Sequence, residues 1–259
     1  MATEPVGLAK QAVEAETNVR NPSATADDRR KAGERQQLVY RILARHQDWE
    51  EAFFAQIPTD VEAFARNNYN AAKAPLDPGL SRPVPRKDTL PAWSVREALP
   101  ADQLLAFYKD GEAKTGIEWV YLAAINMVET RFGRIVGLST SDAMGPMQFL
   151  PTTWNGFCEG DPWNDHDAIV CAARYLKQRG GPGDMHRAIQ GYNPNDMYEV
   201  MVTSYAANLR ADPEALVGYH AWQIFQPTTA GDIRVPVGFR AEAPIPAADY
   251  LAAHPNDLA

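Results

Sequence analysis

Ile117-Glu-Trp-Val-Tyr-Leu-Ala-Ala-Ile-Asn-Met-Val-Glu-Thr-Arg-Phe132 is the most apolar helical stretch of the chain, and its reading decides the fold. Leu122, Ile125 and Glu129 are spaced i, i+3 and i+7, which places them on one helical face. Two of them belong in a core, and the third is a carboxylate. Burying a carboxylate is costly unless it is paired or protonated. Burial also raises its pKa toward the range that a general acid needs near neutral pH. Read instead as a helix-end residue, Glu129 would face water and pair with Arg131 or Arg134. Periodicity leaves both readings open. The longest apolar run, 119–125, falls well short of the roughly 20 residues of a membrane span, so a buried core helix is expected there.

Outward from this helix the chain reads as further helices. Residues 27–47 carry Leu38, Ile42 and Leu43 on one stripe, 48–56 form a second amphipathic piece, and a third starts at Thr59 or Asp60. Five prolines within 74–91 rule out a regular element and mark a connection. Helices follow after Pro100 as far as Gly116, over 165–178 with an acidic first turn, over 195–210 and over 213–225. Residues 1–26, polar and Ala-rich, read as a loose arm. Residues 227–259 read as a Pro/Ala-rich tail with a short β-like patch at 233–237. The expected class is mainly α with little β structure, divided as arm 1–26, helical extension and Pro-rich connection 27–91, principal domain 92–226 and tail 227–259.

A chain of 259 residues that is 45% hydrophobic and holds six Trp can bury a sizeable core. Its net charge of −8 argues against a nucleic-acid partner, because phosphate binding wants clustered Lys and Arg. The first residues show no charged n-region followed by an apolar h-region, so no signal peptide is read. Cys158 and Cys171 form no CxxC pair, which removes the zinc and thioredoxin readings. They fit either a disulfide in an exported protein or two buried thiols. The histidines form no HExxH or related cluster, and no metal or other cofactor is expected.

Two further motifs bear on chemistry. Gly145-Pro-Met-Gln-Phe-Leu-Pro-Thr-Thr-Trp154 is a turn leading into a short helix, with Gln148 flanked by Met147, Phe149 and Leu150. A polar amide on an apolar platform suits hydrogen bonding to a sugar. Gly191-Tyr192-Asn193-Pro194 sets a phenol and an amide in a turn, or else a core tyrosine and a turn-forming asparagine. Taken in order, Val128-Glu-Thr-Arg-Phe-Gly-Arg134, Ala143-Met-Gly-Pro-Met-Gln-Phe-Leu-Pro151 and Tyr192-Asn193 resemble the three signatures of lytic murein transglycosylases with a lysozyme-like, SLT-type catalytic domain. Asp161-Pro-Trp-Asn-Asp-His-Asp-Ala-Ile169, followed by Ala172-Ala-Arg-Tyr-Leu176, is similar to the DPxDAI…AAxYL helix of the membrane-bound lytic transglycosylase B family. The likeness covers about 98–225.

That resemblance implies a lysozyme-like domain over 92–226 that cuts the MurNAc-GlcNAc β-1,4 bond of peptidoglycan and leaves 1,6-anhydro-MurNAc ends. It implies Glu129 as the sole catalytic acid/base, Met147, Gln148 and Phe149 lining the glycan groove, and Tyr192 and Asn193 orienting the acid or the N-acetyl group. Ser139 falls where the family has a serine near the catalytic carboxylate. An exported, cell-envelope location and a monomer acting on glycan strands go with it. Where the family usually has a small residue this chain has Asp142, which could be the second carboxylate of a hydrolytic muramidase of goose-type lysozyme kind. It could equally be a loop aspartate in an Asx-turn. A catalytically silent glycan-binding scaffold is the remaining alternative, against which the retention of Glu129, Gln148 and Tyr192 speaks. The loop 159–165 is too short for the calcium loop of some relatives, so Asp161, Asp165 and Asp167 are expected as turn and cap residues.

Overall fold

The computed structural model describes residues 1–80 and 85–259. Pro83, part of the expected proline-rich connection, lies outside the described residues. The chain begins with α1 (Pro5–Val19), α2 (Ala26–Arg45), α3 (Glu50–Phe54) and α4 (Thr59–Lys73). Then come α5 (Ala101–Thr115), α6 (Trp119–Thr130), α7 (Pro151–Phe157), α8 (Asp165–Gln178), α9 (Met185–Tyr192), α10 (Asp196–Ala211), α11 (Ala215–His220) and α12 (Ala247–Ala253). Six short strands are interspersed: β1 (Thr89–Leu90), β2 (Ser94–Val95), β3 (Ile135–Val136), β4 (Phe225–Thr228), β5 (Gly231–Arg234) and β6 (Ile245–Pro246). They pair antiparallel as β1 with β6, β2 with β3 and β4 with β5. Among the described residues the protein is mainly α with little β structure.

Local chemistry places the helix ends. Thr25 caps α2 by accepting from the Asp28 amide, and Asn164 and Asn195 do the same for α8 and α10 through the amides of Asp167 and Tyr198. Gly116 closes α5 in the left-handed conformation that a side chain disfavours. The helix expected to start at Thr59 or Asp60 is α4, and it has no side-chain cap. Helical geometry begins at Thr59, and Pro58 before it makes no side-chain cap.

Three hydrophobic clusters form. The largest joins α5, α6, α8, α9, α10 and α11 around the fully buried Leu122, Ile125, Ile169 and Leu209. A second, built by α1 to α4, gathers Leu8, Tyr40, Leu43, Phe53 and Tyr69. The third brings Leu90 and Val95 against Ile233, Val235 and Tyr250.

Two expectations are corrected here. Residues 1–26 are no loose arm, because α1 buries Leu8, Ala12, Ala15 and Val19 at helical spacing. Alanine carries that face, giving little hydrophobic contrast in sequence while allowing close approach of neighbouring backbones. Residues 227–259 are no tail either. The β4–β5 hairpin and α12 make the third cluster, and Asp232 of β5 is clasped by Arg41, Arg45 and Arg86.

The extension joins the larger unit without a gap. A Cβ on Gly33 of α2 would lie 2.5 Å from the Gly218 carbonyl of α11, and one on Gly218 would lie 2.5 Å from a Val19 methyl. Across the same seam the Trp222 indole donates to Gln36 at 3.0 Å.

Candidate active site

The polypeptide turns sharply as α6 ends. Arg131, Phe132 and Gly133 follow one another at φ of 53, 63 and 74°. Asp142 and Gln148 are the other non-glycine residues with positive φ among the described residues, so all four lie within 131–148. Backbone strain of this kind persists only where surrounding structure enforces it, and it gathers at functional sites. The enforcement is visible here. Asn126 and Thr130, on the last turns of α6, both donate to the Pro146 carbonyl, at 2.9 and 2.7 Å. Gly145, at φ 75°, lets that turn press onto the Pro162 carbonyl, where no side chain would fit. The turn carrying Gln148 is thereby fastened to the helix carrying Glu129.

Glu129 makes no ion pair with Arg131 or Arg134. Arg131 turns back to the Met127 carbonyl of its own helix, and Arg134 reaches the carbonyls of Trp222 and His220. The reading of Glu129 as a salt-bridged helix-end residue is therefore set aside. Its carboxylate instead accepts a hydrogen bond from the Tyr198 hydroxyl at 2.7 Å. Burial lifts its pKa to about 7, against the smaller downward pull of that bond. No second carboxylate contributes to the shift. Burial, with the nearby charge of Glu129, pushes the phenols of Tyr192 and Tyr198 well above their usual range and keeps them as donors.

The residues picked from sequence fall into two groups. Gln148 is half-buried and donates from Nε2 to the Gly145 carbonyl at 2.9 Å, and among the described residues its side-chain oxygen accepts nothing. Tyr192 donates to the Met147 carbonyl at 2.6 Å and stacks on Tyr198 with the rings 8° from parallel, joining the Gln148 turn to the Glu129 partner. Asn193 is half-buried at the C-cap of α9, adjoining Tyr192. Met147 and Phe149, expected to line a groove, are instead 0% and 4% exposed. They are core residues supporting the turn, with Phe149 set edge-on against Trp154, Tyr175 and Tyr192. The Ser139 hydroxyl is spent on its own loop, accepting from the amides of Ser141 and Ala143. Asp142 is exposed at φ 60°, its amide bonded to the Ser139 carbonyl.

The remaining aspartates are structural. Asp161 accepts from the Trp163 amide, Asp167 accepts from the Asp161 amide, and Asp165 is buried against Arg96 at 2.6 Å instead of capping a helix. Cys158 and Cys171 are joined in a disulfide, with Cα atoms 5.5 Å apart, tying the end of α7 to α8.

Tyr198 is the residue of the candidate site that sequence reading misses. Tyr198, Val202, Tyr205 and Leu209 form a buried stripe on α10 at spacing i, i+4, i+7 and i+11. A phenol on such a stripe needs a hydrogen-bond partner, just as a carboxylate on α6 does. Each polar group was the other's missing half. Comparison with protein-family models, with curated proteins and with solved structures finds no match.

Proposed function

We propose that the chain is a lytic transglycosylase with a lysozyme-like catalytic domain, cutting the MurNAc-GlcNAc β-1,4 bond of peptidoglycan strands and leaving 1,6-anhydro-MurNAc ends. The observation that carries this reading is a single carboxyl with pKa near 7, held by one phenol, to whose shift no second carboxylate contributes. The ordered likeness of its surroundings to the family signatures supports it. Protonated Glu129 gives its proton to the glycosidic oxygen as the C1–O4 bond breaks. The resulting carboxylate, which Tyr198 stabilises, takes the proton of the sugar's own C6 hydroxyl as O6 bonds to C1. Glu129 ends protonated and no water is consumed. An intramolecular hydroxyl held near the reacting carbon has a large effective concentration, which favours ring closure over hydrolysis. The N-acetyl group can share the positive charge, so a second carboxylate is not obligatory. Gln148 and Asn193 offer amides for the glycan, and the disulfide fits an exported protein.

The test is mass spectrometry of products from purified cell-wall glycan. The expected products are anhydro-muramyl species, each lighter by one water than its hydrolysis counterpart, with Asp142→Asn changing the rate only modestly. Reducing-end muramic acid, together with loss of activity in Asp142→Asn, would overturn this in favour of a muramidase.

A further inference from the structure

A cavity of about 440 Å³ opens where α2, α11 and β5 meet the chain that follows α6. Its size is that of a small-ligand site. None of Glu129, Gln148, Tyr192 and Tyr198 lines it. Val95, Val217 and Val235 give it an apolar side, and its charged lining is Arg30, Glu34, Arg234, Arg134 and Glu97, of which Arg30 is paired with Glu34 and Arg234 with Asp257.

Arg134 is the unusual member. Its two terminal nitrogens are taken by the carbonyls of Trp222 and His220, and its Nε is buried with no partner among the described residues. Carbonyls satisfy hydrogen bonds without cancelling charge, and among the described residues Arg134 has no carboxylate within ion-pair distance. Burial accordingly lowers its pKa, partly offset by the pull of Glu97 and Glu34. Glu97 is exposed and likewise has no ion-pair partner among the described residues. Beside its paired arginines the cleft thus presents, among the described residues, one cation in its wall and one anion at its edge that make no ion pair. A buried charge without a counter-charge is costly, and a ligand carboxylate would relieve that cost through a charge-assisted contact.

We propose that this cleft binds a small zwitterion, an amino acid or short peptide, with its carboxylate toward Arg134, its ammonium toward Glu97 and its side chain on the valines. The site is separate from glycan cleavage and stands whether or not the chain cuts glycan. Isothermal titration of the full chain tests it, using free alanylalanine in its L,L and D,D forms, its C-terminal amide and its N-acetyl derivative. The expected result is one-site binding of a free dipeptide, weakened at least tenfold by amidation and by N-acetylation. In Glu97→Gln, which removes no hydrogen bond among the described residues, N-acetylation should cease to matter. Arg134→Gln should abolish the preference for the free carboxylate. If that variant fails to fold, the amide comparison on the unaltered chain decides the same point. No saturable binding of either dipeptide, or equal binding of the free, amidated and acetylated forms, overturns the proposal.

Discussion

Two glutamates are drawn into this protein, and their surroundings differ in kind. Glu16, on α1, is 0% exposed and accepts hydrogen bonds from Arg20, Gln36, Tyr40 and Asn68. Glu129, on α6, has Tyr198 alone among the described residues and keeps some access to solvent. The first carboxylate is neutralised by an arginine and satisfied from several helices at once, so it serves as a fastening of the extension. The second is given too few partners to be comfortable as an anion, and its pKa rises to about 7. Burial alone does not mark a reactive acid. Burial with an unfilled hydrogen-bond shell makes a candidate for one.

The sharpest way to break this contrast is to exchange each residue. Glu129→Gln should lower glycan cleavage toward the upper end of the roughly 10²- to 10⁴-fold that general acid/base catalysis contributes. The same variant should be no less stable. The folded protein holds the Glu129 proton up to a pKa of about 7, whereas an ordinary glutamate carboxyl, with a pKa of 4.5, releases it earlier. The stability tied to that proton is complete below the lower value and is lost as pH rises through the higher one. Glutamine escapes that loss, which is about 3 kcal/mol at most. Melting curves should therefore show the variant more stable than the parent at pH 8 and equal to it at pH 4. Cleavage by the parent, whose first step needs the proton, should fall as pH rises past 7. Glu16→Ala should do the opposite, costing about 3–5 kcal/mol in urea unfolding because Arg20 loses its nearer counter-charge, keeping only Asp212 at 3.9 Å, and Gln36, Tyr40 and Asn68 lose their buried acceptor. Equal effects of both variants on stability would erase the distinction.

Smaller changes sharpen it. Replacing Cys158 and Cys171 together by Ser should cost about 3 kcal/mol in unfolding, from freeing a loop of roughly 15 residues. Tyr198→Phe should have the smallest effect, removing a hydrogen bond to a charged group worth about 1.5–3 kcal/mol. That bond favours the anion, so its loss should move the descending limb of the pH–rate profile upward by about one unit or more. A profile that does not move would mean that Tyr198 does not hold the carboxylate during turnover.

The sequence made much of this legible where one helix face is strongly apolar. The acidic first turn and the following Gly-Gly-Pro placed α8 at its observed bounds, and the misplaced carboxylate on the Leu122–Ile125 stripe was visible without coordinates. Weak or distant signals were lost. The inward face of α1 is largely alanine, and Glu16 on it looks like an ordinary surface charge until the partners from α2 and α4 are brought to it. The short helix α9 was read only as a turn around Tyr192, because its eight residues include just two fully buried ones, Ala188 and Ile189. The family resemblance puts Met147 and Phe149 in the groove, but the sequence shows only that apolar residues adjoin Gln148, not which way they point. The strained turn at Gln148 sends its neighbours inward.

The seam at Gly33 and Gly218 sets where this chain can be cut and rejoined. Two backbones that meet with no room for a methyl group, beside an indole bonded across the same line, make each side the mould for the other. A chimera with a breakpoint between α4 and α5 would bring together halves shaped for different partners, however well each half suited its own core. Shuffling between relatives should succeed only where α1, α2 and α11 travel together, and the piece that is inherited as a unit is nearly the whole chain.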